Sequence, residues 1–195
     1  RRVPHRTSSW SDCVSPPWPE RLRHVVVEGP IGAGKTSLVR RLAAELEGEV
    51  LLEDPGSNPF LAAFYDDPTR YALSTQLFFL FQRVDQLRAL RQGDLFRRVC
   101  FSDFFFEKDP LFAALTLADE ELTLYRKIYD RLAPQAPVPD LVIYLQASPR
   151  TLMARVRRRG VDYERGVTEP YLAKLSEAYV RFFQDYAAAP VLVVN

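Results

Sequence analysis

The sequence is poor in cysteine, in long apolar runs and in net charge, and each shortage closes off a class of protein. Its two cysteines are Cys13, in the amino-terminal stretch, and Cys100, in an apolar run. They form neither a disulfide framework nor a metal-ligand spacing, a usage that fits a reducing cytoplasm. No apolar stretch reaches the roughly 18 residues that a membrane span needs, so no membrane partner is expected. Formal charge is only +1; the first 23 residues carry five arginines against two acids, and the remainder holds 21 basic and 23 acidic residues, a balance of −2. Such a balance announces no nucleic-acid-binding surface. Internal repeats and low-complexity blocks are also missing from 24–195. What is present is 195 residues, the size of one ordinary domain that can close an apolar core without disulfides or a structural metal.

Residues 1–23, RRVPHRTSSWSDCVSPPWPERLR, are rich in Pro, Ser and Arg and lack apolar periodicity. They read as a disordered tail ahead of a single domain at 24–195. An Arg- and Ser-rich, acid-poor start is also the composition of an organellar transit peptide, but Pro4, Pro16, Pro17 and Pro19 oppose the amphipathic helix it requires.

Five apolar runs within 24–195 are short enough to be strands: His24 to Glu28, Glu49 to Glu53, Arg98 to Ser102, Asp140 to Gln146 and Pro190 to Val194. Longer segments of helical period separate them, such as the face formed by Leu172, Leu175, Tyr179, Phe182 and Tyr186. Strand alternating with helix predicts an α/β fold, a parallel sheet with helices on both sides. Helix starts are marked at Asn58-Pro59, Asp67-Pro68, Asp109-Pro110 and Ser148-Pro149, and similarly at Thr168 with Pro170. Each sets a capping side chain before a proline whose missing N–H costs nothing there.

The chemistry begins at Gly29-Pro30-Ile31-Gly32-Ala33-Gly34-Lys35-Thr36, which matches the P-loop pattern G-x-x-x-x-G-K-[ST] between an apolar strand and a helical pattern. Glycines let backbone N–H groups turn inward around phosphate oxygens, and the helix amino terminus adds a positive end. Lys35 is placed to reach the terminal phosphates of ATP and Thr36 to ligate Mg²⁺. An acid at the end of a neighbouring strand must hold the ion against the phosphates. Asp103, closing RRVCFSD, is the candidate. Glu53 closes LLEDP, and in a parallel sheet the carboxyl ends of neighbouring strands open into one crevice. A carboxylate there suits an acceptor that is a neutral hydroxyl, whose proton must leave, and is idle for an acceptor that is already a phosphate.

These residues, with NPFLAAFYDDPTRYALSTQLFFLFQR, SDFFFEKDPLFAALTL, PDLVIYLQASP and RVRRRGVDYER, resemble the deoxynucleoside kinase family of the P-loop superfamily, in particular its bacterial deoxyadenosine/deoxyguanosine kinase-like branch. The resemblance runs from about Val25 to Asn195. It implies a three-layer P-loop NTPase fold with a five-stranded parallel sheet, a homodimer, and transfer of the γ-phosphate of ATP to the 5′-hydroxyl of a deoxynucleoside, with a purine favoured. It implies Glu53 as general base, Tyr65 on the sugar 3′-hydroxyl, Gln76 on the nucleobase edge and Arg83 near the base. LMARVRRRGVDYER resembles the family's arginine-rich lid, with Arg155, Arg158 and Arg159 on one face. Arg155 and Arg159 are the arginines expected on ATP, and Glu164 is expected at the 3′-hydroxyl. The Phe78, Phe79 and Phe81 cluster reads as core or dimer contact.

One departure stands out. Where many family members carry an acid-Arg-Ser triplet after the third strand, this chain reads Ser102-Asp103-Phe104, without the arginine. One register puts Asp103 on the acid and Phe104 on the arginine; the other puts Asp103 on the arginine itself. The aspartate expected to partner Arg83 then falls on Lys108 or Asp109. Two alternatives stand beside the kinase: a nucleoside monophosphate kinase, and a non-catalytic nucleotide-binding partner subunit.

Overall fold

The computed structural model describes residues 22–91, 98–133 and 136–195. Most of the tail expected at 1–23, Cys13 included, lies outside the described residues. Five strands, β1 (His24–Glu28), β2 (Glu49–Leu51), β3 (Cys100–Ser102), β4 (Leu141–Leu145) and β5 (Val191–Val194), form one sheet in the order β2-β3-β1-β4-β5. Every pairing is parallel. The helices are α1 (Lys35–Glu45), α2 (Leu61–Asp66), α3 (Pro68–Arg91), α4 (Asp109–Thr116), α5 (Asp119–Leu132), α6 (Pro149–Arg159) and α7 (Glu169–Asp185).

β1 lies at the centre and is buried along its whole length, which is why it reads as an unbroken apolar run and not as an alternation. Val25 and Val27 pack with Val39 and Ala43 of α1 and with Leu152 and Val156 of α6. Val26 faces the other way, toward Phe105 and against Phe182 and Phe183 of α7. Each such valine contributes roughly 1.5–3 kcal/mol by leaving water. Beyond the β3 end, α3 and α5 enclose a separate cluster of Leu80, Val84, Leu87, Phe104, Phe106 and Tyr125. The three layers expected from the alternation are therefore present, and the strand order reverses at β1, immediately before the glycine-rich turn.

Differences from the sequence expectation are local. The second run was expected to pair as far as Glu53, yet β2 stops at Leu51. The reason is Asp103: its Oδ1 accepts the backbone N–H of Glu53 at 2.8 Å, so a side chain replaces the next rung of the ladder. Among the expected caps, Ser148 accepts from Thr151 N, Thr168 from Tyr171 N, and Asp67 from Arg70 N. Two do not cap. Asn58 Oδ1 accepts from Phe60 N and its amide donates to the Thr75 carbonyl, while α2 starts only at Leu61 without a side-chain cap. Asp109 is itself the first residue of α4, and its carboxylate turns inward to Arg83.

His24 ties β1 to β3 through an Nε2 contact of 2.9 Å to Ser102 Oγ. Burial pushes the imidazole down to about 4, against a smaller upward pull from Asp140. A group lowered on folding gives stability that is complete above its unfolded value near 6.5 and is lost as pH falls through 4. Chemical denaturation between pH 7 and 4 is therefore expected to show a loss of up to about 3 kcal/mol from this group. His24→Gln should flatten that part of the profile, and a slope unchanged by the substitution would remove His24 as its source.

Candidate active site

The turn that follows β1 is shaped by glycine. Gly32 holds φ +84°, and a Cβ there would sit 2.8 Å from the Leu152 carbonyl of α6, so a side chain meets both backbone strain and a neighbouring chain. The Lys35 ammonium lies back along the turn and donates to the carbonyls of Gly29 at 2.8 Å and Pro30 at 3.3 Å. Burial pushes Lys35 down, while Glu28 pulls it up and Lys108 pushes it further down. Thr36, in the first turn of α1, donates its hydroxyl to Asp103 Oδ2. A hydroxyl and a carboxylate oxygen held together are hard donors of the kind Mg²⁺ takes, with phosphate oxygens and water completing its shell.

Beside this turn opens a cavity of about 220 Å³. Ile31, Gly32, Lys35 and Thr36 line it from the glycine-rich turn and the start of α1, and Glu53, Asp103 and Lys108 border it. Tyr65, Gln76, Arg83, Arg159 and Glu164, named from the sequence, also line it. Gln76 and Arg83 come from α3, seven residues apart and hence on nearly the same face. The Gln76 amide reaches Thr116 Oγ1 at 3.4 Å.

Arg83 is the hub of a buried network. Its Nε donates to Glu53 Oε1 at 2.9 Å, its Nη2 to the same oxygen, and its Nη1 to Asp109 Oδ1. Burial alone would raise Glu53, but Arg83, Lys108 and Lys35 outweigh it and hold the carboxyl at about 2. Asp109 goes the other way: burial raises it to about 7 against the pull of Arg83 and Lys108. One guanidinium thus serves two carboxylates, and the more deeply buried one keeps the greater affinity for a proton.

The segment expected as a lid contributes Arg159, Tyr163 and Glu164 to the cavity wall. Ser148 caps α6, and Gly160 in the left-handed region ends it. Arg159 grips Glu164 through Nε, 3.0 Å from Oε2, and through Nη2. Gly166 lets this segment press on α2, since a Cβ there would stand 2.6 Å from Tyr65 Cβ. Arg155 sits elsewhere: its Nη1 donates to the Ala33 carbonyl at 3.2 Å, and it borders a second hollow with Pro30, Gln146, Ser148 and Thr151. Arg158, expected to share their face, is exposed and borders neither hollow.

Several lining residues escaped the sequence reading. Phe79, taken with Phe78 and Phe81 as core or dimer contact, stands on the cavity wall with the Arg83 guanidinium 5.1 Å from its ring centre. Phe64, Phe112, Tyr163 and Tyr171 complete an aromatic surround. They come from four separate segments of the chain, so no local signal marks them out as one group.

Comparison with known proteins agrees with this architecture. A family model described as deoxynucleoside kinase matches residues 25–195. The chain is 34% identical over 172 residues to deoxyguanosine kinase of Bacillus subtilis (strain 168), covering 87% of this chain and 83% of that protein. Against deoxyadenosine kinase of Dictyostelium discoideum it is 33% identical over 176 residues, 88% of this chain and 71% of the other. Deoxyadenosine kinase from M. mycoides, solved with bound dATP, shares the fold with a TM-score of 0.78 at 23% identity, over 89% of this chain and 90% of that one.

Proposed function

Because the chain belongs to the deoxynucleoside kinase family, we propose that it moves the γ-phosphate of ATP to the 5′-hydroxyl of a deoxynucleoside, with a purine preferred. The observation that carries the reading is the Glu53 carboxylate opening into the same cavity as Lys35 and Thr36. In the transfer, the 5′-oxygen bonds to the γ-phosphorus, the bond from that phosphorus to the β-bridging oxygen breaks, and ADP leaves. Glu53 takes the proton that the hydroxyl gives up. A carboxyl held near 2 is ionised throughout the neutral range and accepts the hydroxyl's hydrogen bond. Orientation of this kind matters most where the transition state is loose and the protein works by position and charge.

Lys35 and the loop N–H groups bind phosphate oxygens, and Thr36 with Asp103 would hold Mg²⁺, which would supply charge neutralisation at the donor phosphates. The contact between Thr36 and Asp103 supports the register that sets Asp103 on the acid of the family triplet. Arg159 is the lid arginine for the transferring group, and Arg155, against the loop at Ala33, steadies the donor. Tyr65 and Glu164 take the sugar and Gln76 the base edge, while Arg83, near the base, holds Glu53 in place. The purine preference is supported by the relatives named for deoxyguanosine and deoxyadenosine. Homodimer assembly and a cytoplasmic setting belong to the same proposal; Phe81, 50% exposed on α3, supports the first. Among the described residues no helix is long and apolar enough to cross a membrane.

A panel of the four deoxynucleosides and their monophosphates, offered with γ-labelled ATP, tests the reading. Label is expected chiefly on deoxyadenosine and deoxyguanosine. Preference for a monophosphate would instead assign a monophosphate kinase, and ATP binding without any ADP across the panel would assign a non-catalytic subunit.

A further inference from the structure

Lys108 is the buried cation for which the reading above has no use. It ends the short 3₁₀ turn Phe106–Lys108, just ahead of α4, and its side chain is 3% exposed. Its ammonium stands 3.0 Å from Glu28 Oε2, and Glu28, the last residue of β1, is 0% exposed. The other Glu28 oxygen accepts the Gly29 N–H at 2.7 Å and the Tyr179 hydroxyl at 2.9 Å. Glu28 is therefore a fixed anchor at the foot of the phosphate turn. An ammonium has three donors, and among the described residues Lys108 gives only the one contact to a carboxylate, with the Phe112 ring centre 5.5 Å away. The same side chain borders the cavity shared by Lys35, Thr36, Glu53 and Asp103. Phe104, at the place where one register sets the family arginine, is sunk in the apolar cluster of α3 and α5 and brings no charge.

We propose that Lys108 is a catalytic residue, the second fixed cation of the transfer site: tethered to Glu28, it turns its spare N–H donors onto the oxygens of the transferring phosphoryl group. The role rests on the kinase reading given above. Position supports it, since Glu28 immediately precedes the turn and the anchor holds the ammonium beside that turn on the cavity wall. Electrostatics agrees: Lys108 is among the charges that lower both Lys35 and Glu53, so it acts on the donor side and on the acceptor side at once. A fixed donor aimed where charge develops needs no reorganisation during the step.

A purely structural role would be to neutralise Glu28. The two roles separate in the double variant Glu28→Gln/Lys108→Met, which removes both charges of the pair while the glutamine carbonyl can still accept from Gly29 and Tyr179. With deoxyadenosine and deoxyguanosine as acceptors, we expect near wild-type Tm and ATP affinity, little change in KM, and kcat lower by about 10²–10³. Lys108→Arg, which keeps the charge, should exceed the double variant in kcat by about tenfold or more when both are assayed where folded. Double-variant turnover within about threefold of wild type would overturn the proposal and leave the kinase reading standing. So would a Lys108→Arg variant that is folded and as slow as the double variant. Absence of turnover by the wild-type protein on every deoxynucleoside would overturn both.

Discussion

Glu53→Gln is expected to lower kcat by about 10²–10⁴ while ATP binds as before. The expectation follows from the division of labour within the cavity. On the proposed reading donor phosphates are met by the glycine turn, Lys35 and Thr36, whose side-chain hydrogen bonds run to Gly29, Pro30 and Asp103 and not to Glu53. The amide of glutamine keeps the shape and can still accept from Arg83, yet it cannot take the proton of the incoming hydroxyl. Because the carboxyl is held near 2, its ionisation should impose no limb on the rate profile between pH 5 and 9. Turnover unchanged in the variant would remove the base assignment. A fall in ATP affinity equal to the fall in kcat would point to a disturbed phosphate turn instead.

The second large effect concerns Arg83, whose side chain is 6% exposed. Arg83→Met leaves Glu53 and Asp109 facing a common space without a counter-charge. Removing one partner of a buried pair costs about 3–5 kcal/mol, which in a domain of this size lowers Tm by on the order of 10 °C. The pH dependence carries the sign. A carboxyl raised on folding, as Asp109 already is, gives stability that is complete below its unfolded value and lost as pH rises through its folded one. Glu53, lowered in the wild type, gives stability that is present above its unfolded value and lost as pH falls toward 2. Without the guanidinium both carboxyls join the first kind, so the stability deficit of the variant should shrink on going from pH 8 to pH 5. Adding Asp109→Asn should recover part of the loss, as expected for members of one network. A deficit independent of pH would mean that the cost is packing alone.

The phosphate turn was legible because its chemistry is local: glycines, lysine and threonine act within eight consecutive positions, between a strand and a helix that they themselves delimit. Cap signals at Ser148 and Thr168 were legible for the same reason. What local signals missed was decided by residues distant in the chain. Asp109-Pro110 carries every mark of a cap, yet a guanidinium 26 positions earlier draws the carboxylate away from the helix end. Nothing near Lys108 announces Glu28, whose strand was formed 80 positions before. Run length also overstates strands, because apolar composition reports burial whereas a strand is ended by where its N–H groups find partners, as Asp103 shows at Glu53. Phe79, read as core, packs against the cluster of Leu61, Phe64 and Ala72 and lines the cavity as well, because a helix bordering a cavity and one bordering a core bury the same kinds of side chain.

α3 runs unbroken from Pro68 to Arg91 and carries both Gln76 and Arg83. Seven residues at the rise of an α-helix amount to roughly 10 Å, and Arg83 in turn fixes Glu53. The helix is in effect a ruler with a gripping mark at one end and a reacting mark at the other. On the proposed reading, an acceptor is chosen by how far its hydroxyl lies from its base edge, and one lengthened by a phosphate would overshoot the reacting mark whatever its base.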